Sequence, residues 1–171
     1  MATTRFELDP DRSQVSIDGS SSLHPIRARA TGLEGWVTVS LIASGVAARP
    51  AVAGEVRLAL DRLASGNPVV DAETRRRIDV RHHPELVGTV TGGRRVAPDR
   101  LALDGEIAFR GEVQAVTGEL VVERDGDDLH LSGEQTFDVR SWGLQPPRLG
   151  LLRVHPEVTV RLEAVAVAID A

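Results

Sequence analysis

The sequence predicts an all-β domain: an extended antiparallel sheet of about eight strands that closes into a barrel, with one short helix near residues 71–80. Three observations carry that expectation. Apolar residues recur with period two through most of the chain, the pattern of strands with one face in a core. Turn-forming residues punctuate these runs at short, fairly regular spacing, which favours a barrel or a sandwich. A sheet this long avoids open edges by closing on itself.

The elements follow in order. Segment 13–18 places Val15 and Ile17 on one face, and segment 34–42 combines Trp36, Val37, Val39, Leu41 and Ile42. Segment 52–60 repeats the theme with Val56, Leu58 and Leu60. Residues 71–80 break it: DAETRRRIDV holds good helix formers, with Asp71 as the expected N-cap. Strands are expected again over 86–91, 101–109 and 112–123. Gly92-Gly93 and Pro98-Asp99 read as turn signals, and Arg110-Gly111 as a tight connection or a bulge. Asp125-Gly126-Asp127 reads as a hairpin loop between two alternating runs. The later of these starts at Leu129 and Leu131 and continues to Phe137 and Val139. Segment 143–150 is a loop, because Pro146-Pro147 continues neither a helix nor a ladder. The last strand runs through Val158, Val160, Leu162, Ala164, Ala166 and Ala168.

A chain of 171 residues suits a single domain over 1–171 and can bury a full core. Aromatic residues make up only 3% of it, so the interior is lined mainly by Val, Leu, Ile and Ala. A net charge of −5 argues against nucleic acid, which needs a basic face. All 20 basic residues are Arg, and there is no Cys. A Schiff-base lysine, a thiol nucleophile, a disulfide and a zinc-thiolate site are thereby excluded. No stretch reaches the 18 or so apolar residues of a spanning helix. The opening residues lack the basic and apolar regions of a signal peptide, so a cytoplasmic location is expected.

The candidate functional residues form three groups. Three His-Pro pairs, at His24, His83 and His155, each precede an apolar run. Pro is tolerated at the first position of a strand, so the pairs read as punctuation. The alternative is a transition-metal site, or an enzyme centre on a hydrophobic molecule, built from His24, His83 and His155 at one rim. No other cofactor is expected. Segment 19–26, GSSSLHPI, offers the Ser22 hydroxyl and the His24 imidazole to a ligand head group, while a nucleophile elbow is missing. Arg75, Arg76 and Arg77 read as a solvated helix face; if the helix borders a barrel mouth, Arg76 is placed to clamp a phosphate or carboxylate. Phe109, Phe137 and Trp142 are the aromatic candidates for contact with a ligand, with Trp142 either a rim residue or a core one.

The order of these pieces resembles the YceI-like family. The resemblance rests on FELDPDRSQVSI at the start, the 52–60 strand and the Arg-rich helix. It continues through His83-Pro84-Glu85, LDGEIAFRG at 103–111 and LRVHPEVTVRLEAVA at the close. This chain has Arg12-Ser13 where the family has a His-Ser pair, and His83 where an aromatic residue is usual. The resemblance implies a lipocalin-like barrel with a helix near its mouth and a lipophilic ligand of isoprenoid or acyl type. A binding role is therefore expected ahead of a catalytic one. A barrel filled by its own Leu and Val residues, a ligand-free structural or stress-associated role, and a homodimer formed by edge pairing stay open as alternatives.

Overall fold

The computed structural model describes residues 2–169. Twelve strands form one antiparallel sheet: β1 (Ala2–Leu8), β2 (Gln14–Ser21), β3 (Ile26–Thr31), β4 (Glu34–Ile42), β5 (Gly45–Val46), β6 (Val52–Ala59), β7 (Glu85–Ala97), β8 (Arg100–Phe109), β9 (Glu112–Asp125), β10 (Asp128–Asp138), β11 (Arg148–Leu149) and β12 (Leu152–Ala168). One α-helix, α1 (Pro68–Ile78), interrupts them. About 64% of the protein is strand, arranged as an eight-stranded closed barrel.

Closure is achieved by splitting two wall positions. The long β12 pairs with β1 near its C-terminal end (Phe6↔Ala168) and with β2 farther up (Leu162↔Val15). β1 and β2 thus share one position in the wall, and β4 and β3, which pair with them, share the next. A 3-10 turn at Pro10–Arg12 makes the break between β1 and β2. Ser13 seals it. Its buried hydroxyl donates to the Val165 carbonyl at 3.4 Å and accepts from the Val165 N–H at 3.2 Å. The same carbonyl also accepts from the Asp9 N–H at 2.8 Å, so Asp9 and Ser13 together satisfy β12 where the ladder is interrupted. A bridge between Arg29 and Ala64 ties β3 to the segment that follows β6.

Four strands escape sequence patterning: β5 and β11 are only two residues long, with β11 pairing on β12 inside the segment 143–150 expected as a loop, and the two longer ones have a physical reason to be silent. β3 (IRARAT) presents Ala28 and Ala30 inward, residues too small to register as hydrophobic alternation. β1 contributes only Phe6 and Leu8 to the core. Gly92-Gly93 is not a turn but lies inside β7, at a shift in register against β8. A Cβ on Gly93 would sit 2.8 Å from Val52 Cγ1 and 2.9 Å from Leu103 Cδ2, so side chains from both neighbouring strands close over the glycine. The reversal comes later, at Pro98-Asp99. Arg110 (φ 57°) and Gly111 (φ 76°) form the left-handed two-residue turn of a tight β-hairpin.

The helix also starts earlier than its polar run suggests. Asn67, not Asp71, is the N-cap: its side chain accepts from the N–H groups of Val69 and Val70 at 3.1 and 3.2 Å, with Pro68 in the first turn. Asp71 instead accepts from the backbone N–H and hydroxyl of Ser65, which pins the incoming loop to the helix. Glu73 bonds both Arg76 and Arg77, and these bonds hold its carboxyl at about 2, far below the ordinary 4.5. The support it gives is therefore present above pH 4.5 and fades as pH falls toward 2. Glu73→Gln is expected to lower the melting temperature at pH 7, with the gap from wild type closing on acidification across that window. Thermal melts at pH 7 and below pH 3 check this.

Candidate functional site

The barrel is solid at one end and hollow at the other. At the end where β1 meets β12, Phe6, Val39, Leu101, Leu129, Leu131 and Ala166 fill the interior. Small inward residues on β12 (Ala164, Ala166) let larger ones from β10 and β1 cross the axis. Toward the other end the inward positions enclose a cavity of about 260 Å³. Its walls are aliphatic: Val15, Ile17, Val56, Leu58, Val160 and Leu162 are representative. The filled barrel and the hollow barrel that composition could not separate are both present, one above the other.

α1 and the Pro loop lie across the hollow end. The helix turns Val70, Thr74 and Ile78 toward the cavity together with Asp71 and Arg75. Leu144, Pro146 and Pro147 approach from the other side, and Arg77 Nη1 ties helix to loop through the Gln145 carbonyl at 3.4 Å. Polar groups reach the cavity only around this mouth. Arg75 has no carboxylate within ion-pair distance among the described residues and donates through Nη2 to the Leu63 carbonyl at 3.3 Å. His155 lines the mouth, and its Nδ1 shares a 2.8 Å hydrogen bond with the Ser20 hydroxyl.

Phe109, Phe137 and Trp142 all line the cavity. Trp142 is buried, donates Nε1–H to the Ile107 carbonyl at 3.0 Å, and meets Phe137 edge-on with ring centroids 5.8 Å apart. Ser22, His24 and Arg76 lie outside the lining. Ser22 bonds the Leu151 carbonyl and the Arg153 N–H. His24 is exposed, with Nδ1 2.8 Å from the Pro25 carbonyl. Arg76 points to solvent and pairs with Glu73.

The three His-Pro imidazoles are not brought together. His24-Pro25 and His83-Pro84 immediately precede β3 and β7, as strand punctuation requires. His155-Pro156 sits within β12, at the bulge between Val154 and Val158. His83 packs near Gly111 in the β8–β9 turn, while neighbouring His82 bonds Asp79, whose carboxyl is lowered by that bond. Among the described residues no group of three or more His, Cys, Asp or Glu is placed to hold a metal ion. Fixing the helical phase on Val70 and Ile78 selects Thr74 and turns Arg76 outward, but it favours Arg77 over Arg75, so the place of Arg75 in the lining has no clear signal in the sequence. The Ser20–His155 contact had no local signal, because it depends on the β2–β12 register.

No helix among the described residues is long and apolar enough to cross a membrane. Among curated proteins, none matches this sequence. In fold, the chain is similar to BcnA of Burkholderia cenocepacia, with a TM-score of 0.77 at 13% identity, covering 92% of this chain and 98% of that one. It is also similar to a polyisoprenoid binding domain from Saccharophagus degradans implicated in plant cell wall breakdown, with a TM-score of 0.76 at 14% identity, covering 96% and 98%. A Campylobacter jejuni YCEI protein gives a TM-score of 0.61 at 9% identity over 80% and 82%. At such identities these likenesses speak for the fold alone. Residues 6–166, which include both the solid core and the cavity walls, match the YceI-like domain, and the chain belongs to that family.

Proposed function

We propose that this protein binds and carries a lipophilic molecule of isoprenoid or acyl type, with its apolar part in the hollow half of the barrel. The observation that carries the reading is the aliphatic cavity itself. Water in such a space finds few partners, while each buried CH₂ of a ligand contributes about 0.8 kcal/mol. A five-carbon isoprene unit is thus worth about 4 kcal/mol before the cost of immobilising it. The likeness in fold to a polyisoprenoid binding domain supports the same ligand class.

The cavity also bounds the ligand. Its volume of about 260 Å³ lies just below the roughly 300–1,000 Å³ usual for drug-sized ligands. A short chain fits whole, whereas a long polyisoprenoid keeps part of its length beyond the mouth. A polar end group would emerge beside Arg75 and His155, at the mouth where Ser65, Asp71 and Thr74 also line the cavity.

Organic extraction of protein purified from bacteria, followed by mass spectrometry, is expected to release an isoprenoid or fatty-acid species. Ala28→Phe, which projects a ring into the cavity from β3, is expected to weaken uptake of added farnesol or palmitate at least tenfold while the thermal melt stays cooperative. Empty extracts together with no uptake of either probe by the wild-type protein would overturn the proposal.

A further inference from the structure

Two exposed turns beside the mouth carry leucines that stand largely in solvent. Leu23, at the tip between β2 and β3, is 62% exposed. Leu151, at the tip of the β11–β12 hairpin, is 87% exposed. The turns are held together. The Ser22 N–H donates to the Arg153 carbonyl at 2.9 Å, and the Ser22 hydroxyl donates to the Leu151 carbonyl at 2.7 Å while accepting from the Arg153 N–H at 2.9 Å. Fixing a protruding leucine in place costs solvation, and ordinary hairpin tips are polar.

Charge is distributed to match. The chain is acidic overall, at −5, yet residues 19–33 and 139–156 contain five Arg and two His and not one Asp or Glu. Arg148 and Arg153 face each other across the β11–β12 hairpin directly below Leu151, both exposed and neither in an ion pair among the described residues. Arg27 follows Leu23 by four residues and stands 83% exposed. Arg27 pairs with Asp18 at 3.7 Å and Arg140 with Asp138 at 2.7 Å, which leaves Arg148 and Arg153, among the described residues, as the free charges beside the apolar tips, a combination that suits an anionic lipid surface. The leucines enter the region between head groups and acyl chains, while the arginine stems lie along it with their guanidinium groups on phosphates. A protein partner would instead favour a broad, flat or concave patch, and these are two convex points.

We infer that the mouth of the barrel docks on anionic bilayers through Leu23 and Leu151, with Arg148 and Arg153 as the electrostatic component. The docked geometry sets the cavity opening, bordered by His155 and Val154 of the same strand, against the membrane. The inference concerns the outer surface and does not depend on which molecule the cavity holds. The test uses the full chain and vesicles of phosphatidylcholine with and without 40% phosphatidylglycerol, read by co-sedimentation. Wild-type protein is expected to pellet with the anionic vesicles, at least about tenfold more weakly with phosphatidylcholine alone, and less as salt rises. The double variants Leu23→Ser/Leu151→Ser and Arg148→Ser/Arg153→Ser are each expected to lose about tenfold or more in vesicle affinity, with melts and farnesol uptake unchanged. Wild-type protein that stays in the supernatant, or variants that sediment as well as wild type, would overturn the inference. So would a stable dimer in light scattering that Leu23→Ser/Leu151→Ser dissolves, because the tips would then serve a second copy.

Discussion

Leu129→Ala is expected to destabilise the domain by about 2–5 kcal/mol, read as a lower midpoint in urea with an unchanged slope. Leu129 is fully buried at the solid end, opposite Ala166 on β12 and Arg124 on β9. The side chain is therefore enclosed on all sides, and its loss leaves a void that close-packed neighbours cannot refill. The same truncation in the hollow half behaves differently. Val160→Ala removes methyl groups that already face the cavity, so little new void is created, and a cost of only about 1 kcal/mol is expected. Farnesol uptake should respond in the opposite order, insensitive to Leu129→Ala and altered by Val160→Ala. Equal stability losses at the two positions would mean that the interior is uniform rather than divided.

This division explains how much of the protein is legible in its sequence. The alternation at 101–109, 129–139 and 158–168 marks strands wherever one face is buried, and burial against a core and burial against a cavity leave the same pattern. The fold class follows from that pattern; the hollow does not, because Val160 and Ala166 are both simply apolar residues on the same face of β12. Closure is equally hidden. It depends on one strand, β12, being long enough to pair with β1 and β2 in succession, and on Ser13 mending the break. A lone buried serine has no periodic signature. At the mouth, proximity in sequence is not proximity in space. Ser22 and His24 are close in the chain, yet it is Ser20 and His155 that bond, 135 residues apart, because antiparallel pairing fixes the partner. Ser22 binds backbone groups of the neighbouring hairpin, so its hydroxyl is occupied.

Trp142 stands where the core meets the cavity wall, and its removal is expected to have the larger effect. The indole serves both roles that the sequence left open: it is 5% exposed, as a core residue is, and it forms part of the cavity wall near the mouth. Three interactions hold the segment: the Nε1 bond to the Ile107 carbonyl, the edge-on contact with Phe137, and the bond from Arg110 Nη1 to the Trp142 carbonyl. Trp142→Ala abolishes the first two and leaves a half-buried carbonyl of β8 without that partner. A loss of about 3–5 kcal/mol is expected. For a domain of this size that corresponds to a melting temperature lower by about 6–20 °C. Trp142→Phe separates the contributions: it keeps most of the apolar packing, loses only the hydrogen bond, and should cost nearer 1 kcal/mol. The residue also reports on the cavity. Trp36, the other tryptophan, lies on the β1–β4 wall beneath the Arg5 guanidinium, 4.5 Å from the ring centroid, and takes no part in the cavity lining. In a Trp36→Phe background the remaining emission comes from Trp142 alone. It is expected to be blue-shifted in the folded protein and to change in intensity as farnesol is added. Emission that ignores a bound ligand would place the ligand away from this wall, and the hollow half of the barrel would lose its assigned role.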